Sequence, residues 1–445
     1  MRAKVPTFRY FAEARSLPGA KGHARLAGRR KLAGRSAIAL FAMCAAVTAI
    51  PIGAPSAGAS TAAPITIGLI TELSGGAASQ YIGAQDGIEA RFDAQNAKGG
   101  VNGHQLKLVT VDDQSTPSGN RLAAQDLVED KGVFGVIDDS TVVYGASAFL
   151  NKQGVPVVGE GNDGPEWGQQ PNTNMFDLIP PSTTPYNGVT YGYNTDVVFM
   201  KDIGVTKLAV ISVNVPAAIT AFVDTEKEAS KLGIANCYDN DTLSLADVAF
   251  TPVALQLKAS DCNGVTLEGV PAQVVALAET LQQASVKIKE FYYTLTSNLL
   301  TEPAVHRALT GTYAAQLGFD LNHPNAAQKL MIATIEKYVP QFSETNDQAA
   351  FLTYESADLM IKGLELAGKN PTRQAFITNL RKVSSYSAGG ILAPPGVTFQ
   401  HFGTVGALPK TSCAEVLVVT AKGLASYENG RNFCGQRVVV STSSS

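Results

Sequence analysis

At 445 residues the chain exceeds the size at which one hydrophobic core stays efficient, so two lobes are expected. Apolar residues make up 45% and charged residues 16%, the balance of a folded globular protein rather than a disordered one. A net charge of −3 argues against nucleic acid as a partner, because phosphate binding needs a basic surface.

The first 59 residues read as a signal peptide or leader outside the fold. Arg25, Arg29, Arg30, Lys31 and Arg35 form a basic segment, Ala37 to Ile52 an apolar one, and PSAGAS a small-residue stretch. That order is a secretory signal with cleavage after Ala57-Gly58-Ala59. Arg29-Arg30 lacks the apolar pair that a twin-arginine signal carries next. Met43 stands where a lipobox has a small residue, so Cys44 reads as a signal-peptide residue rather than a lipid anchor. Beyond the leader no apolar run is long enough to span a bilayer, so the mature chain is expected in the periplasm or cell envelope.

The mature chain opens on a strand–loop–helix–turn–strand unit at residues 65–113. Ile65, Ile67, Leu69 and Ile70 suit a strand buried on both faces of a parallel sheet. A Gly/Ser-rich loop follows, and then a helix with Ala84, Ile88, Arg91 and Phe92 at helical spacing. Lys98-Gly99-Gly100 stops it, and Leu106 to Val111 forms a second strand ending on Asp112-Asp113. A strand, a crossing helix and a parallel strand make a right-handed α/β unit, whose loops at the carboxyl edge bind small ligands.

The string SGGAASQYIGAQDGIEARFDAQNAKGGVNGHQLKLVTVDD resembles the opening of the branched-chain amino acid (Leu/Ile/Val) type of substrate-binding protein. These are type I periplasmic binding proteins that serve ABC importers. The NAKGGVNG turn and the strand ending in paired Asp are the most specific part of the likeness. The resemblance is strong from 65 to 170 and continues by pattern alone after 185. It implies two doubly wound α/β lobes joined by a hinge that the chain crosses three times, with the ligand in the cleft between them.

The alternating rhythm continues along the chain. Ser115-Thr116-Pro117 starts a helix that runs to Asp130, VFGVI (133–137) is a strand, Tyr144 to Lys152 a helix and Val155 to Val158 a strand. Pro180-Pro181-Ser182 marks a crossing into the second lobe, where helix 189–203, strand 207–212 and helix 217–232 follow. Strand 234–237, helix 252–259, strand 262–267, helix 271–285 and strand 290–294 come next. Helices 326–339 and 346–367 return to the first lobe, and the tail is strand-rich. The expected division is 64–181 plus about 312–392 for lobe 1 and 182–311 plus about 393–440 for lobe 2, with 441–445 disordered.

Removing the leader leaves Cys237, Cys262, Cys413 and Cys434. An even count in an exported chain points to disulfides, and four cysteines allow three pairings. Sequence neighbours favour Cys237–Cys262, at the end of one strand and the start of the next, and Cys413–Cys434 across a hairpin-like segment. No CxxC or paired-His spacing supports zinc.

The resemblance implies a first-lobe carboxylate site of hydroxyls and helix N-terminal amides, matched here by Ser140, Thr141, Gly161, Asn162 and Asp163. Tyr81 matches an aromatic residue that lines the cleft, one position out of register. Ser140 and Asp163 also read as plain helix caps, and Trp167 as core or hinge packing ahead of packing on a ligand. The second lobe departs from the family. Relatives place an acid after its last strand for the ligand's ammonium, where FYYTLTSN offers Thr294 and Thr296; Ala217 stands near the position of a family tyrosine. An ammonium without a charged partner is costly to bury. Either Glu268, Asp139 or Asp163 takes that role, or the ligand is not an α-amino acid, which is the favoured reading. Val213, Val215, Ala217 and Val270 would make this side apolar.

No GxSxG or HExxH occurs, and GLELAGKN (363–370) imitates a phosphate loop without its Ser/Thr and inside a helix. No enzyme activity, cofactor or metal is expected. The expected function is a monomeric substrate-binding protein of an ABC importer, with a small organic ligand and a membrane permease as partners. The alternative is a ligand-sensing module that acts with a separate signalling partner.

Overall fold

The computed structural model describes residues 62–159, 165–168, 171–178, 189–295, 297–315, 324–341, 348–392, 396–400 and 410–441. Two sheets organise it. The first is built from β1 (Ile65–Thr71), β2 (Leu106–Asp112), β3 (Gly135–Asp139), β4 (Val157–Gly159) and β5 (Met175–Asp177), in the order β2-β1-β3-β4-β5. Every pairing in it is parallel. Parallel strands need crossovers, supplied by α1 (Ala84–Asn96), α2 (Pro117–Gln125) and α3 (Ser147–Lys152). As the hydroxyl–proline pair predicts, Thr116 caps α2, its side chain accepting from the Gly119 amide at 3.0 Å with Pro117 at the first helical position. The helix then passes into a π turn over Asp126–Asp130.

Among the described residues the second sheet has nine strands. They are β6 (Val189–Tyr193), β7 (Lys207–Val213), β8 (Ala235–Leu243), β9 (Gly264–Glu268), β10 (Lys289–Tyr292), β11 (Tyr313–Ala315), β12 (Thr411–Thr420), β13 (Gly423–Ser426) and β14 (Asn432–Ser441). The order is β6-β14-β12-β11-β10-β9-β7-β8, with β13 on β12. The run from β8 to β11 is parallel, and β12, β14 and β6 extend it antiparallel. Its helices are α4 (Thr195–Asp202), α5 (Pro216–Lys231), α6 (Thr251–Ala259), α7 (Pro271–Gln283) and α8 (Pro303–Leu309).

The chain then returns to the first sheet through α9 (Ala326–Tyr338), α10 (Gln348–Ala367) and α11 (Arg373–Leu380). Phe351, Leu359 and Leu364 of α10 and Phe376 of α11 share one core with Ile67, Leu69 and Phe92. The opposite face of that sheet carries a second core, with Leu127, Leu150 and Trp167. Trp167 is therefore core packing, 1% exposed.

Several expectations need correction. Residues 189–203 do not form one helix: VTYGY is the strand β6, rich in β-formers and paired to β14, and α4 starts at Thr195. Tyr144 lies in a short turn, Val143–Gly145, and α3 begins only at Ser147. The strand expected at 234–237 runs to Leu243 because β7 templates it along its length. Tyr313–Ala315 belongs to the second sheet, and Phe399 packs in the first core, so both edges of the returning segment fall later than 312 and 392. The expected crossing at Pro180–Ser182 lies outside the described residues. Cys237 pairs with Cys262 and Cys413 with Cys434, the latter as directly opposed residues of β12 and β14. Among the described residues no helix is long and apolar enough to cross a membrane.

Candidate ligand-binding site

The parallel parts of the two sheets share one winding, β2-β1-β3-β4-β5 and β8-β7-β9-β10-β11. In each, successive connections leave the first strand in opposite directions, so the loops after β1 and β3, and after β7 and β9, diverge. That divergence opens a crevice at the carboxyl edge, where open α/β sheets bind ligands. A cavity of about 340 Å³ lies there, bounded by Gln80 and Thr141 from the first sheet's loops and by Val215, Ala217, Glu268 and Val270 from the second's. This volume sits at the lower end of the roughly 300–1,000 Å³ usual for small-ligand pockets.

The two sets of loops also touch beside the cavity. Tyr81, Ala77 and Ala84 pack with Val270 and Ala349 in a small apolar cluster, with Leu245 against it. Gly76 meets the backbone of Leu245 so closely that an added Cβ would lie 2.6 Å from its carbonyl carbon. Only glycine allows that approach.

The second-sheet wall is half apolar and half acidic. Val213, Val215, Ala217 and Val270 supply the apolar part. Asp196, Asp224 and Glu268 line the same cavity. Asp196 heads α4 and accepts the Tyr293 hydroxyl. Asp224 shares a face of α5 with Ala217, Thr220 and Ala221, at spacings of seven, four and three residues. It reaches over Gly192 of β6, where an added Cβ would fall 2.0 Å from Asp224 Oδ2. Glu268 ends β9, and neither its Oε1 nor Asp224 Oδ1 has a hydrogen-bond partner among the described residues.

Crowding sets the charge of this wall. Burial, then the charges of Asp196 and Asp224, push the Glu268 carboxyl well above the carboxylate range. Burial, then Asp196 and Glu228, push Asp224 up to about 7 against the pull of Lys231 and Lys227. Asp196 is raised by burial although Tyr293 donates to it. Burial and the Asp196 charge keep the Tyr293 phenol protonated, hence a donor.

The first-lobe loops handle acids differently. Glu72 follows β1 and is 1% exposed. Its Oε1 accepts from the Thr141 amide at 2.7 Å and from the Thr141 hydroxyl. Ser140 has one hydroxyl proton, and Asp113 Oδ2 at 2.5 Å is nearer to it than Glu72 Oε1 at 3.2 Å. Asp113 also accepts from Ser115 and Asn120, and Asn120 bridges it to Asp138. Burial, then the Asp113 charge, push Asp138 well above the carboxylate range. Asp112 holds the turn after β1 by accepting from the Leu73 and Ser74 amides. The paired acids ending β2 are thus loop ties.

The profile of the family described as periplasmic binding protein matches residues 64–408, which covers the first sheet and the second from β6 to β11. The chain belongs to that family. The likeness that opens the mature sequence is therefore family membership, and the fold is that of the type I periplasmic binding proteins, two α/β lobes with ligand loops facing each other. Members of the family bind substrates and are not enzymes. A curated relative, the Leu/Ile/Val-binding protein homolog 3 of Brucella melitensis, is 27% identical over 227 residues, 51% of this chain. The match spans only 60% of that relative's length. A substrate-binding periplasmic protein from Ralstonia solanacearum superposes with a TM-score of 0.68 at 17% identity, over 82% of this chain and all of the other. An R. palustris ABC-transporter solute-binding protein in complex with benzoate gives a TM-score of 0.64 at 15% identity, over 82% and 95% of the two chains. At these identities the structural likeness speaks for the fold alone.

In this periplasmic binding protein the sequence-predicted site residues part company. Thr141, Ala217, Glu268 and Thr294 come together on the cavity. Thr294 is held there by donating to the Gly269 carbonyl at 2.7 Å. Ser140 is fully buried behind Thr141 and engaged with Asp113. Tyr81, 6% exposed, packs between the two sets of loops instead of lining the cavity. Asp139 is buried at the end of β3, away from the lining. Gly161, Asn162, Asp163 and Thr296 lie outside the described residues. Sequence reasoning missed Asp196 and Asp224. The first was hidden by reading 189–203 as a helix. The second was findable, since the spacing from Ala217 puts it on the same helix face.

Proposed function

We propose that this protein is the extracytoplasmic substrate-binding component of an ABC importer. It is exported by its basic and apolar leader, works as a monomer, holds one small organic solute between its lobes and presents it to a membrane permease. The solute is other than a standard branched-chain amino acid. The observation that carries this reading is a cavity lined from both sheets at their carboxyl edges, walled by Val215, Ala217 and Val270 on one side and Thr141 on the other. Hinge closure needs a ligand that both lobes touch, because only differential binding shifts an open–closed equilibrium.

Thermal melts against amino acids, amides, short-chain acids and aromatic acids test the reading. At least one compound should raise the melting temperature, with a rise that grows with concentration as mass action requires. Native mass spectrometry of protein purified without denaturation should show a co-purified small molecule. A flat response across the library together with an empty native spectrum would defeat it.

A further inference from the structure

We propose that the cavity takes a small organic cation, an amine or ammonium compound that carries no carboxylate. The inference rests on the reading of the chain as a solute-binding protein and names the class of solute. Glu268 is the central observation. It is 9% exposed, it lines the cavity, and its Oε1 has no hydrogen-bond partner among the described residues. A buried acceptor without a donor is costly, and a ligand N–H or ammonium supplies what is missing. Asp224, whose Oδ1 is also without a partner among the described residues, and Asp196 share the cavity, and no described Lys, Arg or His lines it.

Four of the cavity's hydroxyls are already engaged within the chain. Thr141 gives its amide and hydroxyl to Glu72, so a carboxylate of the chain itself fills that loop. Thr294 donates to Gly269, Thr220 to Pro216 and Tyr293 to Asp196. Other lining donors are the Gln80 amide, the Thr225 and Tyr193 hydroxyls and the start of α5, where no side chain caps the amides of Ala217 and Ala218. A helix N-terminus is worth about half a positive charge, whereas a cation finds three carboxyl groups on the wall that can ionise toward it.

Burial and crowding raise these carboxyl groups, Asp224 to about 7 and Glu268 well above the carboxylate range. The groups facing them are Asp196 from α4, Lys227, Glu228 and Lys231 from α5, Tyr193 from β6 and Tyr293 after β10. A bound cation favours the ionised carboxylates, so binding releases protons and tightens as pH rises. A neutral or anionic ligand gives no such gain.

Calorimetry and thermal melts on the mature chain with three probe sets test this. The sets are amines without carboxylate (1,4-diaminobutane, 2-phenylethylamine, choline), amino acids (leucine, lysine) and carboxylates (benzoate, hexanoate). A member of the first set should bind best. Its Kd should weaken by about tenfold or more in Glu268→Gln and Asp224→Asn, and on lowering the pH from about 8 to about 5.5. If Glu268→Gln fails to fold, Asp224→Asn and the pH series on the unaltered protein decide. Tightest binding by benzoate, hexanoate or leucine, or an amine affinity that ignores both pH and Asp224→Asn, overturns the inference and leaves solute binding standing. Silence from every probe, with nothing co-purified, overturns both.

Discussion

The two lobes each gather buried carboxyl groups at the carboxyl edge of a parallel sheet, and they treat them in opposite ways. In the first lobe Glu72 accepts from Thr141, and Asp113 from Ser115, Asn120 and Ser140, while Glu72 Oε2 and Asp138 Oδ2 have no partner among the described residues and do not line the cavity. In the second lobe Asp224 and Glu268 border a cavity, each with an oxygen that nothing in the described chain satisfies. The same residue type thus stiffens one loop system and leaves the other open to a partner. Position in the winding does not by itself distinguish them, because Glu268 ends β9 as Asp139 ends β3. Neighbouring donors do: the first lobe surrounds its acids with Ser, Thr and Asn, the second with Val and Ala.

The lobes differ in covalent support too, since both disulfides lie in the second sheet's half. Reducing them should destabilise that half by roughly 2–4 kcal/mol per bridge, and hydrogen exchange should rise in β7 to β14 before β1 to β5. Equal loosening of both halves would remove the asymmetry. Mass mapping of the unreduced protein should show the Cys237–Cys262 and Cys413–Cys434 peptides.

The next effect is on pH. Asp224 moves from an ordinary 3.8 to about 7 on folding. A folded pKa above the unfolded one gives stability that is complete below about pH 4 and lost as pH rises through about 7. The shift corresponds to at most about 4 kcal/mol. The ligand-free melting temperature should therefore fall over that window, and Asp224→Asn should flatten the fall. A curve identical to that of the unaltered protein would show that Asp224 feels no crowding.

Ser140→Ala probes the other cluster. It strips Asp113 of its nearest donor in a fully buried setting, at a cost of about 1–3 kcal/mol read from denaturant melts. Its effect on ligand affinity should be small next to that of Glu268→Gln. An unchanged stability with lost binding would return Ser140 to the ligand contacts. The smallest effect is expected of Thr294→Val, which removes one hydroxyl bond to Gly269 on the cavity wall, worth about 1 kcal/mol.

Much of the architecture was legible in the chain. Short apolar runs followed by amphipathic helices give the α/β rhythm, Thr116-Pro117 marks a helix start, and the spacing of four cysteines suits the two bridges formed. These are local signals, fixed by backbone sterics and by residues near in sequence. The VTYGY segment misled because the strand partner that makes it a strand, β14, lies at the far end of the sequence. The same holds for the site. Thr141, Ala217, Glu268 and Thr294 could be named from loop positions and the family pattern, and all reach the cavity. By itself the sequence determined the family and the α/β alternation of the two lobes. Only the tertiary structure decided which carboxyl groups face the cavity. Glu72 and Thr141 lie 69 positions apart and meet across two neighbouring strands, while Asp196, Asp224 and Glu268 come from α4, α5 and β9 to one wall. Charge is felt through space, and its sign at the site is a sum over groups that the sequence keeps apart.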